Sequence, residues 1–410
     1  MGDGGAGPSG AAGLQAVVVC EPASGDPLRL VGGISLLERI LRQLSELDAI
    51  GRILVIKPSA QRLPPPSSRV QKNVTFTDAS GDTAWDMLRK ARAVLDEQFV
   101  ALAADHLTDQ RLIAWLIAHP RDAMLIGRGG MRLPAARLSR KALDAPDLRA
   151  AGVEPVAVSS LPAHWEAMHG EVPLHLRRVT NDRDAEAGWA ILLDHVQRRA
   201  QELPSRYFDL PCENFLVRRL AGTPVTANQV TILTTLLGFV VAALYFTGWL
   251  RAGVLLAIFV EVLDGVDGKL ARITRTTSRV GELEHIADFF YENACYLALG
   301  AYLTTTGFAH AWLAALLMVL FDLTDTLAYA AMDVWWGMSL DNASPCLTRF
   351  RAIAGRRNVY NWLFFGGVFL GFPAHAFYAA SAWAGITAAT HAAWVISEAM
   401  SRRRGALASD

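Results

Sequence analysis

Residues 261–292, EVLDGVDGKLARITRTTSRVGELEHIADFFYE, decide how the rest of the chain is read, because an apolar run there meets carboxylates, small residues and arginines at helical spacing. Asp264, Asp267 and Ala271 stand at i, i+3 and i+7, so a helix puts them on one face with Gly268 beside them. Two carboxylates on one stripe suggest a divalent cation. Gly268 and Ala271 remove bulk where a ligand has to approach the backbone closely. Arg272, Arg275 and Arg279 add positive charge past the apolar run, and a second helix is expected after Gly281, beginning with Glu284, His285, Asp288 and Glu292. Glu284 and Asp288 are i, i+4 neighbours able to face the first pair.

The pattern Asp-x2-Asp-Gly-x2-Ala-Arg-x8-Gly, carried by Asp264, Asp267, Gly268, Ala271, Arg272 and Gly281, resembles the signature of the CDP-alcohol phosphatidyltransferases. That resemblance implies metal-dependent transfer of a phosphoalcohol, at a membrane, from a CDP-linked donor to the hydroxyl of an alcohol or phosphorylated alcohol, with release of CMP. The family pattern has Asp four and eight residues after the Gly, where this chain has His285 and Phe289. A shift of one position gives Glu284 and Asp288, which keep the spacing of four. By resemblance Asp264, Asp267 and either Glu284 or His285 hold Mg²⁺ or Mn²⁺, and Asp288 serves as a further ligand and the general base. Gly268, Ala271, Arg272 and Gly281 would line the nucleotide. An all-oxygen set suits Mg²⁺ or Mn²⁺, whereas His285 would tilt the site toward Mn²⁺ or another transition metal. Pairing of these acids with Lys269 and the arginines on a solvated face is the competing reading. It is disfavoured because ionisable groups beside a membrane span are costly and usually functional.

The whole chain averages two unlike halves. With 410 residues it has room for two domains, and its zero formal net charge argues against a nucleic-acid partner. Charged residues are frequent up to about residue 220, and long apolar segments follow. Cys20, Cys212, Cys295 and Cys346 are scattered with no CxxC pair, so their spacing indicates neither a zinc site nor a disulfide framework. Residues 1–13 lack the basic and apolar regions of a secretory signal and are expected to be disordered.

Residues 14–195 read as an α/β domain with a Rossmann-type sheet. Strands are expected at 14–20, 52–58, VTFTD, 99–107 and 123–128, and helices at 35–47 and 84–96. Pro27-Leu28, Gly32-Gly33 and Ala104-Asp105-His106 at the end of a strand resemble sugar-phosphate nucleotidyltransferases. That resemblance implies a phosphate-cradling Gly-rich loop with an Arg after the first strand and a metal-binding acid at Asp105. The loop here, Glu21 to Pro27, has one Gly and two acids, so a degenerate domain is expected. Fusion of the two domain types resembles the bifunctional inositol-phosphate cytidylyltransferase and di-inositol-phosphate phosphate synthases, in which the first domain makes the CDP-alcohol that the second uses.

Residues 196–228 are the expected linker, with an amphipathic juxtamembrane helix at 213–222. Thr226 and Asn228 lie where the transferase resemblance implies nucleotide proximity, although Thr226 is equally placed to cap a helix. An all-α polytopic membrane domain of six spans is expected over 229–402, at 229–247, 252–270, 285–305, 309–333, 358–378 and 380–400, before a tail at 403–410. Lys and Arg collect on one side of these spans, which places both termini and the acidic motif on the cytoplasmic face of the cell (inner) membrane. Lys269, Arg275, Arg349, Arg351, Arg356 and Arg357 are candidates for acceptor or lipid phosphate. Asp322 and Asp325 share a helix face and line the polar cavity or pair with an Arg of the 339–357 loop, and Gly367 and Gly371 form a GxxxG for helix packing. Membrane lipids and a second copy, giving a homodimer, are the expected partners. A transporter or membrane scaffold is the alternative class, but it leaves Gly268 and Ala271 without a purpose.

Overall fold

The computed structural model describes residues 13–22, 25–127, 133–165, 168, 170–197, 201–276 and 280–409, the last stretch with side chains over 286–403. The segment expected to be disordered lies outside these residues except for Gly13, as do Arg279 and the side chains of Gly281, Glu284 and His285. The chain divides into two compact units, one of Met1–Ala163, Val172–His195 and Ile273–Arg275, the other of His164–Glu171, Val196–Arg272 and Thr276–Asp410.

Strands without polar alternation must be covered on both faces. Leu14–Val19, Ile50–Lys57 and Gln98–Ala103 are of this kind, and they run parallel in the middle of a seven-stranded sheet. Its order is Glu154–Ala157, Ala123–Ile126, Ala135–Ser139, Gln98–Ala103, Leu14–Val19, Ile50–Lys57 and Asn73–Asp78, with only Ala135–Ser139 antiparallel to its neighbours. Alternation sends Val17 and Val19 into one core with Trp85, Met87 and Leu88 of helix α2 (Ala84–Lys90). Ala16 and Val18 enter the other core, with Leu37, Ile40 and Leu41 of α1 (Leu36–Ser45) and Leu112, Ile113 and Leu116 of α3 (Gln110–Ala118). The unit is therefore three-layered, and α4 (Asp182–His195) completes it.

Two boundaries differ from the sequence expectation. The helix expected to reach residue 96 stops at Lys90 and is followed by a 3₁₀ turn at Arg92–Val94. Buried Gln15 captures Val94 O at 3.1 Å and Asp96 N at 2.8 Å, which draws the backbone out of the helix toward the sheet. The strand expected over 99–107 is two strands, because the chain turns at Ala104-Asp105 and His106–Thr108 leaves the main sheet to pair with Leu176–Arg178.

The second unit is helical: α5 (Leu210–Leu220), α6 (Ala227–Phe246), α7 (Leu250–Thr274), α8 (Val280–Thr305), α9 (Ala311–Trp336), α10 (Pro345–Phe350), α11 (Arg357–Phe369) and α12 (Pro373–Ser409). Small residues allow close helix approach. A Cβ at Gly238 would lie 2.5 Å from the Tyr291 ring, and one at Gly300 would lie 2.4 Å from Ala315 Cβ. Apolar side chains also point outward, including Ile232, Leu236 and Phe239 of α6 and Leu313, Leu316 and Leu320 of α9. Among the described residues, α6 and α9 are the two helices long and apolar enough to cross a membrane. The expected fifth segment, 358–378, is broken: α11 ends at Phe369, Gly371 adopts φ +86°, and Pro373 starts α12. Gly371 has thus left the helix, and only Gly367 packs, against Ala376.

Candidate active site

The second unit encloses a cavity of about 950 Å³. Asp264, Gly268 and Arg272 of α7 form one wall, and Asp288 and Glu292 of α8 another. Arg357, at the start of α11, spans two of these acids: Nη2 donates to Asp264 Oδ2 at 2.6 Å and Nη1 to Glu292 Oε1 at 2.7 Å. Nη1 also donates to the Tyr291 hydroxyl. The other oxygen of Asp264, Oδ1, is buried and accepts no hydrogen bond.

Asp267 points elsewhere. It is 2% exposed, accepts from Thr231 Oγ1 of α6 at 2.7 Å, and is not among the described residues lining the cavity. Among the described residues, Asp264, Asp267 and Asp288 do not bring three ligand atoms within 4.8 Å of one another. Asp288 reaches the cavity, and Gly268 opens toward Arg272, whose Nη1 would be 3.2 Å from a Cβ at that position. Ala271, one residue before Arg272, is partly buried on α7.

Of the basic candidates, Lys269, Arg351, Arg356 and Arg357 line the cavity, and Arg275 and Arg349 do not. Lys269 is 3% exposed and held by Glu213 of α5 at 2.6 Å and by Asn214 Oδ1 at 3.0 Å, so its charge is already matched. Arg275 lies past the end of α7 in the first unit, donating to Glu46 and Gln110. Arg349 is exposed on α10 and outside the cavity wall. Arg351 and Arg356 do line the cavity; Arg351 pairs with Glu202 at 3.0 Å and Asp341 at 3.4 Å, and Arg356 covers the Tyr329 ring. Thr226 caps α6 in a reciprocal box with Gln229, and neither it nor Asn228 is among the described lining residues. Asp322 and Asp325 line the cavity, but their partners are Asn293 at 2.9 Å and His391 rather than a loop Arg.

Three features escaped the sequence reading. Gly265 is required because a Cβ there would lie 2.2 Å from the Glu213 carboxylate. Glu213 and Lys269 meet across 56 positions, and no local pattern links them. Glu292 is an ion-pair partner of Arg357, visible in sequence only as one more acid on α8.

Residues 224–345 match the CDP-alcohol phosphatidyltransferase family. A CDP-alcohol phosphatidyltransferase domain thus lies within the C-terminal part of the chain, over this matched segment. The matched segment begins just before α6 and ends where α10 starts, so it contains both α7 and α8. A bifunctional IPC transferase and DIPP synthase of Rubrobacter xylanophilus is 24% identical over 301 residues, 62% of this chain and 67% of that protein. Its namesake from Thermococcus kodakarensis is 38% identical over 89 residues, so the match spans 22% of this chain and only 20% of that relative's length. Among solved structures, a Mycobacterium tuberculosis phosphatidylinositol phosphate synthase with CDP-DAG bound covers 46% of this chain and 93% of its own, at 18% identity and TM-score 0.36. A 4-diphosphocytidyl-2C-methyl-D-erythritol synthase of Anaerococcus prevotii covers 44% of this chain and 96% of its own, at 14% identity and TM-score 0.30.

In the first unit, Asp105 is the acid that the nucleotidyltransferase resemblance singles out. Its Oδ2 accepts from Arg178 Nε at 2.7 Å and Gly25 N at 3.1 Å, and its Oδ1 meets His106 Nδ1 at 2.7 Å. Burial pushes this carboxyl up, but the bonds from His106, Arg178 and Gly25 outweigh burial and hold it down to about 2.

Proposed function

We propose that the chain transfers a phosphoalcohol group from a CDP-linked donor to an acceptor hydroxyl, releasing CMP, at the cytoplasmic face of the cell membrane in polar-lipid synthesis. The observation that carries this reading is the α7–α8 cavity wall, where Asp264, Gly268, Arg272 and Asp288 come together inside the segment that matches the family. The buried, unbonded Oδ1 of Asp264 is an oxygen donor of the kind that Mg²⁺ or Mn²⁺ takes. Asp264, Asp288 and either Glu284 or His285 would hold the cation, joined by Asp267 only if it turns from Thr231 to the cavity, and the ion would neutralise charge growing on the leaving phosphate.

The chain's own groups supply the remaining chemistry. Gly268 keeps the wall bare so that donor phosphates reach the backbone, and Arg272 sets positive charge against them. The acceptor oxygen bonds to the phosphorus bearing the alcohol, the bond from that phosphorus to the bridging oxygen breaks, and CMP leaves with the bond pair. The acceptor proton passes to Asp288. Arg356, on the same cavity over the Tyr329 ring, suits a phosphorylated acceptor, whereas Arg351 is already matched by Glu202 and Asp341. Outward apolar residues on α6 and α9 support a membrane setting, in which α6, α7, α8, α9, α11 and α12 would form six membrane helices, α11 too short to cross by itself, with both termini cytoplasmic and two copies forming a dimer.

The first unit is a nucleotidyltransferase-like domain that has lost its activity. Arg178 already occupies the Asp105 carboxylate with a fixed positive charge, and the Glu21 to Pro27 loop is acidic. The relatives with bifunctional names favour the second reading, in which this domain makes the CDP-alcohol. Purified full-length protein in detergent, given CDP-alcohols, acceptor and Mg²⁺ or Mn²⁺, should release CMP. Equal release from Asp288→Asn, or none from the unmodified protein with any donor, would overturn the transferase reading. Pyrophosphate formed from CTP and an alcohol phosphate would overturn the silent first domain.

A further inference from the structure

Asp109, His175 and His195 are far apart in sequence and meet inside the first unit. Asp109 precedes α3 and is 1% exposed, His175 precedes the strand Leu176–Arg178, and His195 is the last residue of α4. His175 Nδ1 and His195 Nδ1 stand 3.4 and 3.6 Å from the same atom, Asp109 Oδ2, and one potential ligand atom from each of the three residues lies within 4.8 Å of the others. The two rings meet edge to face with centroids 4.7 Å apart. His175 is 8% exposed, and its Nδ1 has no hydrogen-bond partner.

These separations are long for hydrogen bonds between such groups. A tetrahedral ion with N and O ligands at about 2.0–2.2 Å, by contrast, sets its ligand atoms about 3.3–3.6 Å apart. We propose that Asp109, His175 and His195 bind a zinc ion through two imidazole nitrogens and one carboxylate oxygen, with a water molecule as the fourth ligand. Imidazole with carboxylate favours zinc over the hard cations that suit the transferase cavity. Arg111 gives the carboxylate its orientation: its backbone N and Nε donate to Oδ1 at 3.0 and 3.1 Å, and Nη2 donates to Oδ2 at 2.7 Å. Outer hydrogen bonds of this kind hold a ligating carboxylate in place. The ion would tie the C-terminus of α4 to the start of α3 and to the segment entering Leu176–Arg178, three segments distant along the chain. Cysteine spacing gives no hint of it, because no cysteine takes part.

The test uses full-length protein, stripped with chelator, dialysed against zinc and counted by plasma mass spectrometry. One zinc per chain is expected, retained in Asp264→Asn and lost in His175→Gln and His195→Gln, with circular dichroism to confirm folding. Zinc should also raise the melting temperature of the unmodified protein and leave that of His195→Gln unmoved. Cobalt titration of the unmodified protein should give visible ligand-field bands of a four-coordinate site, which decides the question even if the variants do not fold. Substoichiometric zinc with no cobalt bands, or undiminished zinc in a folded His175→Gln or His195→Gln protein, would overturn the proposal.

Discussion

Arg357 holds Asp264 of α7 and Glu292 of α8 at once, with Nη2 2.6 Å from the first carboxylate and Nη1 2.7 Å from the second. One guanidinium therefore neutralises acids from two helices that wall the same cavity. A rigid fork places two separated nitrogens on the two carboxylates, whereas an ammonium would have to reach both from a single nitrogen. Arg357→Leu should lower CMP release at least tenfold and destabilise the protein by about 3–5 kcal/mol, the usual cost of leaving buried partners unpaired. Arg357→Lys should recover part of the stability and less of the turnover. Thermal unfolding in detergent and single-turnover CMP release measure the two effects, and an unchanged Arg357→Leu would remove Arg357 from the site.

Lys269 sits inside the family motif, yet its ammonium is 2.6 Å from Glu213, and both side chains are nearly sealed from solvent. It anchors α5 to α7. Lys269→Met should cost about 3–5 kcal/mol through the stranded Glu213 charge, and adding Glu213→Leu should restore much of that. Acceptor KM should stay constant in the double variant. A rise in acceptor KM with no loss of stability would mean that Lys269 contacts the phosphate of an acceptor instead.

The sequence made the chemistry of α7 legible because a helix repeats every 3.6 residues, and the sheet was legible because its central strands are apolar without alternation. What it left open follows from the same geometry. Asp264 and Asp267, three positions apart, project about 60° from one another around the helix, which is enough to turn one to the cavity and the other to Thr231. Contacts such as Glu213 with Lys269, or Asp109 with His195, join segments that no periodic pattern relates. The break at Gly371 was hidden because an apolar stretch reads as one span whether or not its backbone stays helical.

Asp105 provides a pH signature for the first unit. Its folded pKa of about 2 lies below the ordinary carboxylate value, so its contribution is complete above the unfolded pKa and disappears as pH falls through the folded one. The contribution is about 2 kcal/mol, lost between about pH 4 and pH 2. Arg178→Leu raises the folded pKa toward the unfolded value, so the variant should be less stable at neutral pH and less sensitive to acid. Denaturant titrations at a series of pH values should show the gap between the two proteins closing over that window. A gap that stays constant would mean that the Arg178 pairing carries no stability.

The phase of α8 is tested by its acids. Asp288→Asn should reduce turnover by roughly 10²–10⁴ while donor binding persists, as expected for loss of a general base. Glu284→Gln should raise the metal requirement if Glu284 is the third ligand, and His285→Ala should do so if His285 is. Mg²⁺ and Mn²⁺ titrations of the three variants separate these cases, and a metal requirement unchanged in both Glu284→Gln and His285→Ala would move the third ligand elsewhere on the cavity.

The two glycines of the motif should respond oppositely to the same methyl group. At Gly265 a Cβ would lie 2.2 Å from the Glu213 carboxylate, which is itself pinned by Lys269, so neither neighbour can yield without breaking the buried ion pair. Gly265→Ala should therefore destabilise the protein by about 1–3 kcal/mol, as overpacking does, and loosen α5 from α7. At Gly268 the nearest atom is Arg272 Nη1 at 3.2 Å, the far end of a flexible side chain that can swing aside. Gly268→Ala should leave the melting temperature within a degree or two of the unmodified protein and weaken CDP-alcohol binding instead, because the methyl projects into the space the donor phosphates need. Gly268→Leu should abolish that binding. Calorimetric titration of donor beside thermal unfolding reads both effects, and full donor affinity in a folded Gly268→Leu protein would show that the donor does not approach this face of α7.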